Sequence, residues 1–152
     1  MNNPLASYQR TQRLLRKEFD AFTRTHCPQC PTPCCRKPAR IELVDIQLAE
    51  ISGWKDKQKR VVKADVPVEA GEAETESEAG EPCDYLGDAG CSFPSDLRPF
   101  GCATFVCKYM YADLDRTALN RIRRLIGVME EQYAALVREE KRKGAARGDR
   151  RV

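Results

Sequence analysis

Eight cysteines in 152 residues are the part of this sequence with the most chemistry to offer. A thiolate is a soft ligand, and four of them hold a zinc ion or an iron-sulfur cluster. A loop supplying two ligands two or three residues apart can wrap around one ion. The stretch Cys27-Pro28-Gln29-Cys30-Pro31-Thr32-Pro33-Cys34-Cys35 has that spacing, and its three prolines exclude regular helix or central strand. Side chains of neighbouring residues diverge, so Cys34 and Cys35 do not both suit one mononuclear tetrahedral site. They fit a polynuclear cluster, two neighbouring sites, or one ligand beside one buried thiol. The second group is Cys83, Cys91, Cys102 and Cys107, with seven, ten and four residues between its members and no close pair. Such a group makes a poor independent zinc ribbon. The two groups, with 47 residues between Cys35 and Cys83, are therefore expected to share a site or lie side by side.

This pattern resembles the zinc- or iron-chelating cysteine-cluster family of small bacterial proteins named for its CxxCxxCC motif, whose members carry eight cysteines in two groups of four. The likeness spans Cys27 to Cys107 and includes the Arg98-Pro99-x-x-Cys102 element. Two departures stand out. Three residues rather than two separate Cys30 from Cys34, and an acidic insertion precedes Cys83. The resemblance implies metal chelation by Cys27, Cys30, Cys34, Cys35, Cys83, Cys91, Cys102 and Cys107. A similar cluster in flagellin lysine methylases looks like an iron-sulfur centre, which keeps an iron-sulfur enzyme or redox component as an alternative reading. Disulfides and plain buried cysteines are the remaining accounts of the thiols.

Other residues bear on the same centre. Arg98 is a candidate to neutralise a thiolate-rich cluster from outside the ligand set, because sulfurs with excess negative charge accept hydrogen bonds. The alternative is a surface arginine before a turn proline. His26, the single histidine, is read as a solvated helix end in preference to a ligand. Phe100, Phe105, Tyr109 and Tyr111 are read as a hydrophobic lid over the metal loops rather than a platform for bases. Arg121, Arg123, Arg124 and Arg138 with the basic C-terminal residues offer contacts to nucleic acid, as a zinc module would use them. A solvated helix face is favoured, since no nucleic-acid motif accompanies the charge. No Ser-His-Asp set, phosphate-binding glycine loop or HExxH is present, so an enzyme reading rests on the cluster alone.

The elements that must position these residues follow from periodicity. Leu5, Tyr8, Leu15, Phe19 and Phe22 recur on one face of an amphipathic helix that stops at His26-Cys27-Pro28. Ile41-Glu42-Leu43 reads as a short strand or the run-in to a helix. Asp45 is the expected N-cap of a helix over 46–52, with Gly53 just past its end. Segment 65–82 has seven acidic residues and no basic one, and reads as a linker or long loop. Its charge of −7, against +3 for the whole chain, leaves +10 on the remainder. Turns dominate 83–111. A long helix is signalled from Asp113 to Lys143 by Leu114, Ala118, Ile122, Leu125, Met129, Tyr133 and Leu136, followed by a basic, frayed tail over 144–152. The expectation is one mainly α domain over 1–152, with an N-terminal helix and a long C-terminal helix around an irregular cysteine-rich metal-binding centre.

Composition sets the outer limits. The N-terminal stretch lacks the apolar centre of an export signal, and no run of about 18 apolar residues could span a bilayer. The expectation is a cytoplasmic protein, where reducing conditions disfavour four structural disulfides and leave metal ligation, redox chemistry or burial for the thiols. The metal ion is the partner this sequence implies; no membrane partner is expected.

Overall fold

The computed structural model describes residues 3–31, 34, 41–55, 83, 85–87 and 90–148. Cys35 and the acidic segment 65–82 lie outside the described residues. The chain is mainly helical, with long helices near both ends.

Helix α1 spans Pro4–His26. Asn3 caps it by accepting a hydrogen bond from the Leu5 amide at 3.0 Å, and Pro4 suits the first helical turn, whose N–H groups have no partner within the helix. Leu5, Tyr8, Gln12, Leu15, Phe19, Phe22 and His26 follow one another at alternating steps of three and four, the ladder of a two-helix seam. Helix α5, Arg116–Gly148, answers with Ile122, Met129 and Leu136, buried and seven residues apart. Tyr8 meets Tyr133 with ring centroids 6.0 Å apart, and Glu18 pairs with Arg121 at 3.1 Å, so the two helices run antiparallel. Leu48 of α2 (Leu43–Ile51) and Leu97 complete the same core.

Three expectations about these helices are corrected. Helix α2 begins at Leu43, not Ile46, and Asp45 is its third residue rather than its N-cap. Glu42 holds the cap position, and the Asp45 carboxylate reaches back to the Glu42 amide at 2.8 Å in a capping box. The expected helix over 113–143 is present as α5 but starts at Arg116, not Asp113. Helix α4 occupies Lys108–Asp113, Leu114 turns extended, and Asp115 caps α5 by accepting from the Ala118 amide at 2.7 Å. Finally, α5 continues to Gly148 through much of the expected frayed tail. Gly53 does end α2 as expected, with φ +94°, where a side chain would be strained.

Between α2 and α5 the chain forms a two-stranded antiparallel hairpin, β1 (Leu86–Gly87) and β2 (Gly90–Cys91), then the short helix α3 (Phe100–Ala103) before α4. No described helix is long and apolar enough to cross a membrane.

Candidate metal centre

Cys27 opens a single 3-10 turn (Cys27–Gln29) directly after α1, and Cys30 closes it, its amide donating to the Cys27 carbonyl at 3.3 Å. Cys27 keeps helical angles, φ −60° and ψ −38°, and Pro28, which has no N–H to continue the helical ladder, ends the helix there. Cys91 lies in β2, Cys102 in α3, and Cys107 in the cap position of α4. Cys27, Cys34 and Cys102 are exposed, while Cys30, Cys83, Cys91 and Cys107 are partly so. Cysteine is ordinarily among the most buried residue types. None of the seven described cysteines contributes to the hydrophobic core.

An aromatic contact brings the residue before Cys27 against the helix that follows Cys107. His26, next to Cys27, is stacked on Phe22 with centroids 4.8 Å apart and meets Tyr109 at 4.7 Å. Tyr109 is two residues past Cys107, and Lys108 lies over its ring at 5.1 Å. The end of α1 and the start of α4 are thereby held side by side, and α1 also packs against α3, which bears Cys102. His26 is thus not the solvated helix end expected of it. It fills the last position of the α1 ladder, and its Nε2 is buried without a hydrogen-bond partner among the described residues. The expected lid of four aromatics is also divided. Phe100 stacks on Tyr133 at 4.6 Å in the core and Tyr109 on His26, whereas Phe105 and Tyr111 are exposed.

The hairpin bearing Cys91 is anchored separately. Trp54, just after α2, stacks on Phe93 at 4.6 Å and donates its indole N–H to the Ser92 carbonyl at 2.8 Å. Tyr85 meets Phe93 edge-on at 4.9 Å, and its carbonyl accepts from the Ser92 amide at 2.7 Å. Each such ring pair contributes about 0.5–1.5 kcal/mol beyond its buried area, and together they tie the hairpin of two-residue strands to the end of α2.

Arg98 is placed through its backbone. Gln12 of α1 donates from Nε2 to the Arg98 carbonyl at 3.0 Å, and the Arg98 amide donates to Gln12 Oε1 at 2.7 Å. The Arg98 Nε is buried without a hydrogen-bond partner among the described residues, which sets Arg98 apart from an ordinary surface arginine. The next residue of α1 after Gln12, Arg13, pairs with Asp96, and one turn past Gln12, Arg16 donates to the Ser95 carbonyl at 3.3 Å. Two residues past Arg98, the Phe100 amide donates to Asp45 Oδ1 at 3.1 Å. Burial raises the Asp45 carboxyl above the ordinary aspartate value, opposed by the bonds from Phe100 and Glu42. Burial, and then the nearby Asp45 charge, push the Tyr8 and Tyr133 phenols far up, so both stay protonated. Sequence reasoning missed Gln12 and the true role of Asp45. The signal for Gln12 was present: it is a polar residue in the middle of the ladder, between Tyr8 and Leu15.

Among the described residues, no three His, Cys, Asp or Glu side chains come together as a group able to hold a metal ion. The donor chemistry of the accessible thiols nevertheless suits a soft ion. Compared with protein-family models, curated proteins and solved structures, the chain gives no significant match. The likeness to the cysteine-cluster family therefore stands on the eight cysteines and the Arg98-Pro99 element.

Proposed function

We propose that this is a metal-binding protein whose eight cysteines chelate zinc or iron, an iron-sulfur cluster included. The observation that carries the reading is where the thiols lie. All seven described cysteines are left at least partly accessible, and the His26–Tyr109 contact keeps the residue before Cys27 against the helix that follows Cys107. Buried packing does not account for such thiols. Thiolate ligation does, because the ion supplies order that two short, apolar-poor loops lack. The ligands must be deprotonated, so uptake releases protons and weakens in acid. Arg98, whose buried Nε has no partner among the described residues, is suited to donate to a sulfur carrying excess charge.

Anaerobic purification of the full chain, followed by elemental analysis and an absorption spectrum, tests the proposal. Zinc without colour, or iron with a charge-transfer absorption, supports it. A chain that purifies without either metal, shows eight titratable thiols and takes up neither metal on reconstitution overturns it.

A further inference from the structure

We infer that Gln12 and Asp45 are positioning residues of the metal centre, holding the main chain on which Arg98 and Cys102 sit in place against the helical core. The inference rests on the metal-binding reading and adds what keeps one ligand-bearing turn in place. Gln12 and Asp45 are each only 3% exposed, and both aim their polar atoms at one short segment. The Gln12 amide engages both the N–H and the C=O of Arg98, as a neighbouring strand would. Asp45 takes the Phe100 amide on one oxygen and its own helix's Glu42 amide on the other. Between these anchor points Pro99 is fully buried, and on their near side so is Leu97. Cys102 follows directly, its amide bonded to the Pro99 carbonyl at 2.9 Å while the residue itself is exposed. A backbone bolted to the core beneath an exposed thiol is the arrangement a preorganised ligand needs.

Packing alone does not explain these two residues. Gln12 occupies a seam position between Tyr8 and Leu15 that leucine would fill, and a buried carboxylate costs stability unless its bonds compensate. Both side chains reach across the chain, to partners 86 and 55 residues away, so they fix tertiary position rather than local helix structure. Arg13 and Arg16 support the same loop from the surface, but exposed pairs of this kind contribute little.

The test uses the full chain with Gln12→Leu, Asp45→Asn and, as a control, Ile122→Val, a core change in α5 that removes neither anchoring side chain. Zinc affinity is read by competition with a chromophoric chelator, the cobalt(II) absorption bands report ligand geometry, and amide hydrogen exchange reports the 97–107 region. The expected result is a zinc affinity lowered about 10- to 100-fold in both positioning variants, the range seen for residues that orient ligands. Altered cobalt bands and faster exchange across 97–107 should accompany it, while Ile122→Val changes none of the three. Should Gln12→Leu fail to fold, Asp45→Asn, which keeps one acceptor oxygen, carries the test. Wild-type affinity and cobalt bands in the folded variants would overturn the inference while leaving metal binding intact, and so would an equal loss in Ile122→Val. Failure of the wild-type chain to take up zinc or cobalt would remove the metal-binding reading, and this inference with it.

Discussion

Leu14 and Leu15 are consecutive residues of α1 with opposite surroundings, and they isolate what the α1–α5 seam contributes. Leu15 is 1% exposed in the central cluster, whereas Leu14 is 46% exposed. Replacing either by alanine changes helix propensity by the same small amount, so the difference between the variants reports burial. Leu15→Ala removes three buried carbons, about 2.4 kcal/mol at ~0.8 kcal/mol each, and leaves a cavity that a seam of large side chains closes only in part. The expected cost is about 3–4 kcal/mol, a large share of the ~5–15 kcal/mol of an ordinary domain. Leu14→Ala should cost about 1 kcal/mol or less. Urea unfolding followed by far-ultraviolet dichroism measures both. With a slope of about 2 kcal/mol per molar, the Leu15→Ala midpoint falls by about 1.5–2 M and that of Leu14→Ala by less than about 0.5 M. Equal midpoints for the two variants would refute the placement of α1 against α5, and with it the platform on which the first cysteine group stands.

Cys30→Ser and Cys102→Ser should each lower the metal content per chain and expose 27–34 and 83–107 to protease, while far-ultraviolet helix signal persists; wholesale loss of helix would contradict a core that contains none of the seven described cysteines. Deleting 69–80 should leave metal content and melting unchanged, since an acidic, core-poor segment adds few contacts and loop length changes closure entropy slowly; loss of metal would make these carboxylates working parts. Trp54→Phe should cost about 1 kcal/mol through the lost bond to Ser92 and speed amide exchange over 85–92, and unchanged exchange there would contradict its anchoring role. Because the folded-state pKa of Asp45 is raised, its contribution is fully present below the ordinary aspartate pKa and is lost as pH rises through the folded value. In chelator-treated protein, the stability of the wild type relative to Asp45→Asn should thus be greatest in acid and decline with rising pH; a difference that grows with pH would contradict it.

The two long helices were legible because their signal is local. Steps of three and four between apolar residues decide a helix before any tertiary partner is known. The same locality misled at residue 114. Leu114 continues the apolar ladder of α5, yet it is the extended residue after α4, and the helix restarts from the Asp115 cap. Asp45 misled for a different reason. Either Glu42 or Asp45 could begin a helix by type, and the capping box uses both, with Asp45 inside rather than outside the first turn. Residue type and spacing singled out the cysteines as the candidate chemical centre. What holds them could not be read that way, because the bonds from Gln12 to Arg98 and from Asp45 to Phe100 join residues remote in sequence. Nor could the stacking of His26 be foreseen without knowing that α4 lies beside the end of α1.

The antiparallel seam also settles how charge is distributed along the molecule. Tyr8 lies by Tyr133, four residues into α1, so α5 from about Arg138 onward has passed the start of α1. At 1.5 Å per residue, the stretch from Arg138 to Gly148 extends about 16 Å beyond its partner, and residues 141–148 are all exposed. Lys141, Arg142, Lys143 and Arg147 lie on this extension, with Lys143 paired to Glu139 and Glu140 at 3.0 and 2.9 Å. The first cysteine group follows α1 at the opposite end, beyond Glu18 and Arg121. From Arg121 to Arg147 the helix rises about 39 Å, several times the ~8 Å screening length at physiological salt. The basic extension therefore cannot serve as counter-charge for thiolates at that end. A cation placed at that end is Lys108, drawn over the Tyr109 ring that meets His26 beside Cys27, whereas Arg98, bolted in place by Gln12, belongs to the turn that leads to Cys102.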